Sequence, residues 1–343
     1  MKATIKDVAR LARVSPSTVS RALHNNPRIS EKVRERVRGA ARELNFHPNP
    51  MARGLVNRQS RIVGVVFPGN AATSMGHPFY PAVIQGLGQA AGEERYHILL
   101  STGGEGLSDE DAVREMVDSG YISGLLLLAP PNAATEALLS AQALPVVTLG
   151  QPQSGEGHCY VDNNNEAAGY AATRYLLDRG HERILFFGHS QRHPVTEDRL
   201  AGYRRAMAER GMALRPEWVL PDHFGTGTRC GQALQRVFQA RERPTAIVSM
   251  DDSLSIQLIA LLRAWGISVP GGVSIVSFNN TRAGEFAAPP LTSVDVDPYG
   301  LGMSAMGLLL EILKGTVQAP ASVEVPFRLV ERESVAEMRQ MEK

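Results

Sequence analysis

Residues Thr4 to Leu23 constrain this chain more than any other stretch, because they spell two short helices with room for only a tight turn between them. Ile5, Val8, Ala9 and Ala12 recur at three- and four-residue steps, so the first helix has one apolar face, and Thr4 is placed as its N-cap. Ser15 caps the second helix, and Pro16 sits where a missing N–H costs nothing. Val19 and Leu23 turn inward while Ser17, Thr18 and Arg21 turn outward. A third helix begins at Ser30, and its Val33, Val37, Ala40, Ala41 and Leu44 close a small core. A second helix that carries hydroxyls and an arginine on its exposed N-terminal part predicts a helix-turn-helix that seats it in a major groove.

Charge separates this from a plain helical cap. Residues 1–60 hold 13 Lys or Arg against four Asp or Glu, a net of +9, while the remaining residues hold 23 against 31, a net of −8. A positive head neutralises phosphates, and an acidic body avoids sticking to them.

The 343 residues call for two or three domains. Cys159 and Cys230 have no metal-like spacing and argue against a disulfide scaffold. The start carries no apolar run of a signal peptide, and no stretch approaches 18 apolar residues, so a cytoplasmic protein without a membrane segment is expected. Residues 1–47 form the DNA-binding head. Pro48 ends its third helix, and residues 48–60 are a hinge and linker: Asn49 caps, Pro50 starts and Met51 to Leu55 continue a helix that Gly54 weakens. Such a segment orders only when something holds it.

From Arg61 the texture changes to strands and helices in alternation. Arg61–Pro68 is a near-continuous apolar strand of the kind covered on both faces, and three further helix–strand steps reach Leu149. After a glycine-rich surface loop at Gly150 to Gly157 the alternation restarts, with Arg199 opening a helix and Val273 to Phe278 a strand. The fold class is therefore a small all-α helix-turn-helix head on an α/β core of two similar lobes with parallel sheets. The core, 61–343, divides into 61–162 with 291–325 crossing back, and 163–290 with a C-terminal strand.

Parallel open sheets bind ligands beyond the carboxyl ends of their strands. Asn70, Thr73, Ser74, Asp162, Asn163, Asn164, His189, Ser190, Asp251, Asp252, Asn279 and Asn280 fall there. Arg199 adds a rigid fork of donors. With the aromatic side chains Phe79, Tyr80, His223, Phe224 and Phe286, this mixture suits a polyhydroxylated small molecule. Enzyme readings find no footing: there is no dinucleotide GxGxxG, phosphate loop or nucleophile elbow, and no histidine has a ligand set around it. Asp251 and Asp252 are neighbours on a loop and point apart. No enzyme and no cofactor is expected.

Val14-Ser15-x-x-Thr18-Val19-Ser20-Arg21-x-Leu23, Pro48-Asn49-x-x-Ala52-Arg53-x-Leu55, Val161-Asp162-Asn163-Asn164, Arg199-x-x-Gly202-Tyr203 and Pro289-Pro290-Leu291-Thr292-Ser293 resemble the lac and galactose repressor family of bacterial transcription regulators. The likeness runs nearly end to end. It implies a homodimer, a head and hinge helix on operator DNA, and a periplasmic-binding-protein-like core that senses a small effector. By match to the family's motifs Pro16, Ser17 and Arg21 face bases, Ala52 and Leu55 enter the minor groove as a wedge, and Arg199, Asp251 and Asn279 line the effector site. Thr4, Ser15, Thr18, Ser20 and Asn26 complete the DNA-binding set, and Phe79, Tyr80, Asp162 and Phe224 the effector set.

His77-Pro78-Phe79-Tyr80, Ser101-Thr102-Gly103 and Ser277-Phe278-Asn279-Asn280 look most like the maltose-type repressors. Two departures stand out. Arg13 occupies the turn position where the family has Gly, which predicts a non-glycine residue at positive φ, and Asn279 replaces the usual Asp. The residues after the last strand have no leucine heptads, so the tetramerisation tail of the lac repressor looks absent and a dimer is expected. The expected function is a sequence-specific repressor released by a carbohydrate, maltose or maltodextrin. The alternatives are a corepressor-dependent regulator responding to a purine or a phosphoprotein, and a sugar-binding module with a protein-docking head.

Overall fold

The computed structural model describes residues 3–338 apart from 24, 47–59, 70, 102–107, 153–156, 190–193 and 222–228. The chain divides into two compact units, Met1–Ser60 and Arg61–Lys343.

In the first unit, α1 (Ile5–Leu11), α2 (Pro16–Leu23) and α3 (Glu31–Glu43) enclose Val8, Ala9, Ala12, Val19, Ala22, Val37, Ala40 and Ala41. The start of α1 is set by Thr4, whose backbone N–H and hydroxyl both donate to Asp7 Oδ2, at 3.0 and 2.6 Å. Between α1 and α2 the chain turns at Arg13, which takes φ 51°, the left-handed conformation expected where the resembled family has Gly. A Cβ there costs about 1–2 kcal/mol. The turn is held by Val14 N–H donating to the Ala9 carbonyl at 3.0 Å. Arg36 Nε donates to the Ala12 carbonyl at 2.9 Å, so one cation of the head serves the turn from α3.

The second unit holds two six-stranded sheets of the same winding. In the first lobe β1 (Ile62–Val66), β2 (His97–Leu100), β3 (Gly124–Leu127), β4 (Val146–Leu149), β5 (Cys159–Asp162) and β11 (Ser322–Glu324) lie in the order β11-β5-β4-β3-β1-β2, all parallel. In the second lobe β6 (Ile184–His189), β7 (Val219–Pro221), β8 (Ala246–Ser249), β9 (Ser274–Phe278), β10 (Thr292–Asp295) and β12 (Arg328–Val330) lie in the order β12-β10-β9-β8-β6-β7. Only β12 among the described strands runs antiparallel, on β10. Fully buried runs such as Gly124–Leu127 and Ala246–Ser249 are what helices on both sheet faces require.

Connections are helical: α4 (Ala71–Gly76), α5 (Phe79–Glu93), α6 (Asp109–Asp118) and α7 (Ala133–Ser140), then α8 (Asn165–Asp178), α9 (Pro194–Glu209), α10 (Arg229–Gln239), α11 (Asp252–Ala264), α12 (Arg282–Glu285) and α13 (Pro298–Lys314). Helices α8 and α9 cross at Gly169 and Gly202. A methyl on Gly169 would run into the Arg199 carbonyl, and one on Gly202 into the Glu166 carbonyl. In the first lobe Gly86 of α5 and Gly302 of α13 meet in the same way.

Two expectations need correction. Residues 292–295 belong to the sheet of the second lobe, so the chain returns to the first lobe after Val296 rather than at 291; β10 is parallel to β9 and its register places Val294 beside Phe278. Arg199 does not open its helix, because Pro194 starts α9 five residues earlier and leaves Arg199 in the second turn. The short strands β5, β7, β10 and β11 carry three or four residues each, too few for a periodicity to be read.

Candidate functional site

The lobes are joined by three crossings, after β5, after β10 and after β11, and one buried side chain touches all three. Asn163 Nδ2 donates to the carbonyls of Val296 at 3.1 Å and Val325 at 2.8 Å. Asn164 next to it caps α8 by accepting from Ala167 N–H at 2.9 Å. The run Asp162 to Asn165 thus performs several tasks that its sequence alone leaves open.

Beyond the strand ends the lobes face each other across a cleft of about 340 Å³. Phe79, Tyr80, Asp162, Arg199, Asp251 and Asn279 all line it. Phe79 and Tyr80 meet edge to face at 5.2 Å, and Tyr80 also meets Phe67 at 6.0 Å. Burial, with the charge of Asp109 added, pushes the Tyr80 hydroxyl up to about 12, so it stays protonated at neutral pH. Asn279 is buried at the end of β9 with φ 87°, a conformation that Asn tolerates better than most residues.

Arg199 is the best-anchored of these groups. It is 6% exposed, its Nε donates to Asn165 Oδ1 at 3.0 Å and its Nη1 to the Met250 carbonyl at 3.1 Å. Nη2 has no partner among the described residues. Burial pulls the guanidinium down to about 10, with Asp162, Asp251 and Asp198 opposing, so it remains a cation at neutral pH. Burial pushes the Asp162 carboxyl up, against hydrogen bonds from Gln151 N–H, Asn163 N–H and Asn165.

Across the cleft His77 Nε2 lies 3.8 Å from Asp251 Oδ2, and Asp251 Oδ1 accepts from Leu254 N–H at 2.9 Å to cap α11. Burial raises the Asp251 carboxyl, but His77 and the capping N–H groups outweigh it and hold it below the usual range. Asp252 faces away from its neighbour and accepts from the Thr281 N–H and hydroxyl and from Ser293 Oγ. These partners make Asp252 structural.

Several expected cleft residues lie elsewhere. Asn280 donates to Asp295 and accepts from Arg332, Ser74 donates to the Pro68 carbonyl, and Phe286 is 72% exposed. Asn70, Ser190, His223 and Phe224 lie outside the described residues, as do the hinge residues Ala52 and Leu55. His77, Asn165 and Met250 were not expected in the site; His77 stood in the motif His77-Pro78-Phe79-Tyr80, and Asn165 directly follows the motif that ends at Asn164.

On the head, Pro16, Ser17 and Arg21 are exposed on α2. Ser15 Oγ accepts from Thr18 N–H at 3.2 Å and is hydrogen-bonded to the hydroxyls of Ser17 and Thr18 at 2.8 and 2.9 Å. Ser20 is half-buried. Thr4 spends its hydroxyl on Asp7, and Asn26 Oδ1 accepts from Arg28 N–H at 3.0 Å. Both have a local structural task.

Residues 4–49 match the model of the bacterial regulatory proteins of the lacI family, and residues 173–335 match a periplasmic binding protein-like domain. The HTH-type transcriptional repressor PurR of Vibrio campbellii is 31% identical over 341 residues, 98% of this chain and 99% of its own. The HTH-type transcriptional regulator MalR of Staphylococcus xylosus is 28% identical over 340 residues, again 98% and 99%. Among solved structures, the transcriptional regulator CelR in complex with cellobiose aligns with a TM-score of 0.74 at 28% identity, over 97% of this chain and 99% of its own.

Proposed function

The chain belongs to the lacI family of bacterial regulatory proteins, and on that premise we propose that a small neutral molecule held between the lobes at Arg199 sets its affinity for an operator. It is a ligand-modulated, sequence-specific DNA-binding repressor and not an enzyme. The observation that carries the ligand reading is Arg199: two of its nitrogens are bound by protein, and among the described residues the third has no partner, in a cleft lined from both lobes. Asp162 and Asp251 balance its charge, so an anion gains little there.

Two readings of the ligand differ in sign. A corepressor, such as a purine, tightens operator binding; the higher identity to the PurR repressor favours it over the sugar reading, and the edges of Phe79 and Tyr80 suit a planar ring. An inducing sugar, maltose or maltodextrin, loosens it. The likeness to CelR with cellobiose supports that reading, as does Asn279, which offers a donor and an acceptor without charge.

The protein acts as a homodimer on a two-fold operator, with Pro16, Ser17 and Arg21 toward the bases. Among the described residues no helix is long and apolar enough to cross a membrane. The test is an operator duplex selected by the protein from a random pool, followed by anisotropy at fixed salt. Cellobiose, maltose, maltotriose, a sugar phosphate and a purine base are then added in turn. Tightening by the purine identifies a corepressor, and release by a neutral sugar an inducer. A response that survives Arg199→Lys unchanged would overturn the placement of the ligand.

A further inference from the structure

Asn165 is the first residue of α8 and only 4% exposed. A polar side chain at a helix start ordinarily serves as its cap, but Asn164 already does so. The Asn165 amide is therefore free for another task, and burying it without partners would be costly. It faces two charged groups. Its Oδ1 accepts from Arg199 Nε at 3.0 Å, while its Nδ2 donates to Asp162 Oδ1 at 2.9 Å and to the Asn163 carbonyl at 3.3 Å. Among the described residues no ion pair joins Arg199 directly to Asp162, so this neutral amide is the link between them.

The two sides belong to different parts of the machine. Arg199 sits on α9 of the second lobe, whereas Asp162 ends β5 of the first. Asn163, whose carbonyl Asn165 holds, is the residue whose amide ties the other two crossings together.

We propose that Asn165 is a positioning residue: it orients the Arg199 guanidinium so that Nη2 is left for the ligand, and it anchors that guanidinium to the interlobe crossing. The proposal rests on the reading that the cleft holds the effector. A ligand pulling on Nη2 would then be felt at Asp162 and Asn163, where the lobes are hinged. A direct Arg–Asp pair would hold the arginine by charge, which acts over a range of geometries; an amide with one acceptor toward Nε fixes its rotation.

The experiment uses the full chain carrying nitrogen-15 arginine, with the Arg199 Nε–H signal assigned by its loss in Arg199→Lys. That proton should exchange with water at least about tenfold more slowly than those of exposed arginines, since it is buried and bonded. Asn165→Ala should speed its exchange about tenfold or more. Asn165→Asp keeps the acceptor and should restore the slow exchange. If the alanine variant does not fold, Asn165→Leu, similar in size and without polar atoms, replaces it. Equal exchange in wild type and the apolar variant would overturn the proposal, and so would an Asn165→Asp protein no slower than Asn165→Ala. A parallel titration of operator complexes with cellobiose, maltose and a purine base should need about tenfold more ligand in Asn165→Ala. No response in the wild type to any of them would count against the effector reading and leave the arginine measurement to decide on Asn165.

Discussion

The guanidinium carbon of Arg199 stands 4.0 Å from the centroid of the Phe278 ring. Together with the bonds to Asn165 and Met250, this stack closes the face and two edges of the cation, and among the described residues the remaining edge has no partner. Lysine would keep the charge but has no planar fork, so it cannot stack and bridge at once. Arg199→Lys should weaken the response to the cleft ligand about tenfold or more while operator affinity without ligand changes less than about twofold. Anisotropy on the selected operator, run with cellobiose, maltose and a purine base, measures both.

The position of α9 depends on a missing side chain. Gly169→Ala would put a methyl against the carbonyl of Arg199, and the helix pair would have to separate. The expected cost is about 1–3 kcal/mol. A methyl on Gly307 of α13 would meet no atom within 4 Å among the described residues, so Gly307→Ala should be neutral or stabilise by about 0.5–1 kcal/mol. Urea midpoints of the two variants, compared with wild type at one protein concentration, check the contrast.

The C-terminal segment is held to the second lobe through a histidine. His181 is fully buried, its Nε2 donates to the Ala336 carbonyl at 3.0 Å, and Nδ1 accepts from the Thr245 hydroxyl at 3.1 Å. Burial holds its pKa below the ordinary 6.5, with the Arg179 charge adding and the Ala336 carbonyl opposing. The unfolded chain therefore takes up a proton near pH 6.5 that the folded chain refuses. Stability should fall as pH drops from about 6.5 toward the folded value, and His181→Gln should flatten that part of the profile. Melting curves between pH 7.5 and pH 5 at fixed salt, with wild type and variant side by side, give the result.

Arg21 tests the head. It is exposed on α2 beside Ser17, where a guanidinium can reach a guanine edge. Arg21→Ala should cost about 1–3 kcal/mol on the selected operator and relax preference at one base pair, with a much smaller loss on random duplex. Equal losses on both duplexes would mean that Arg21 meets phosphate only.

Local signals made much of this legible. The caps Thr4 and Ser15, the proline at the start of α2 and the apolar steps of α1 to α3 act within one or two helical turns, so the head could be read residue by residue. The left-handed backbone at Arg13 was implied by the resemblance, because the family has Gly at that turn position. The alternation of apolar strands with amphipathic helices announced the two-lobed α/β core, and the opposite charges of head and body lay in the counts. What the sequence could not determine is who stands beside Arg199. Asn165 is 34 residues away and Met250 is 51, and each meets the guanidinium only because Gly169 lets two helices touch and β6, which precedes α9, lies beside β8. The crossings are similar: β11 is a three-residue strand that exists because the sheet built earlier in the chain offers it an edge. Helices and turns are decided by neighbours in sequence, whereas a buried cation is decided by partners that only the closed fold brings within hydrogen-bonding distance.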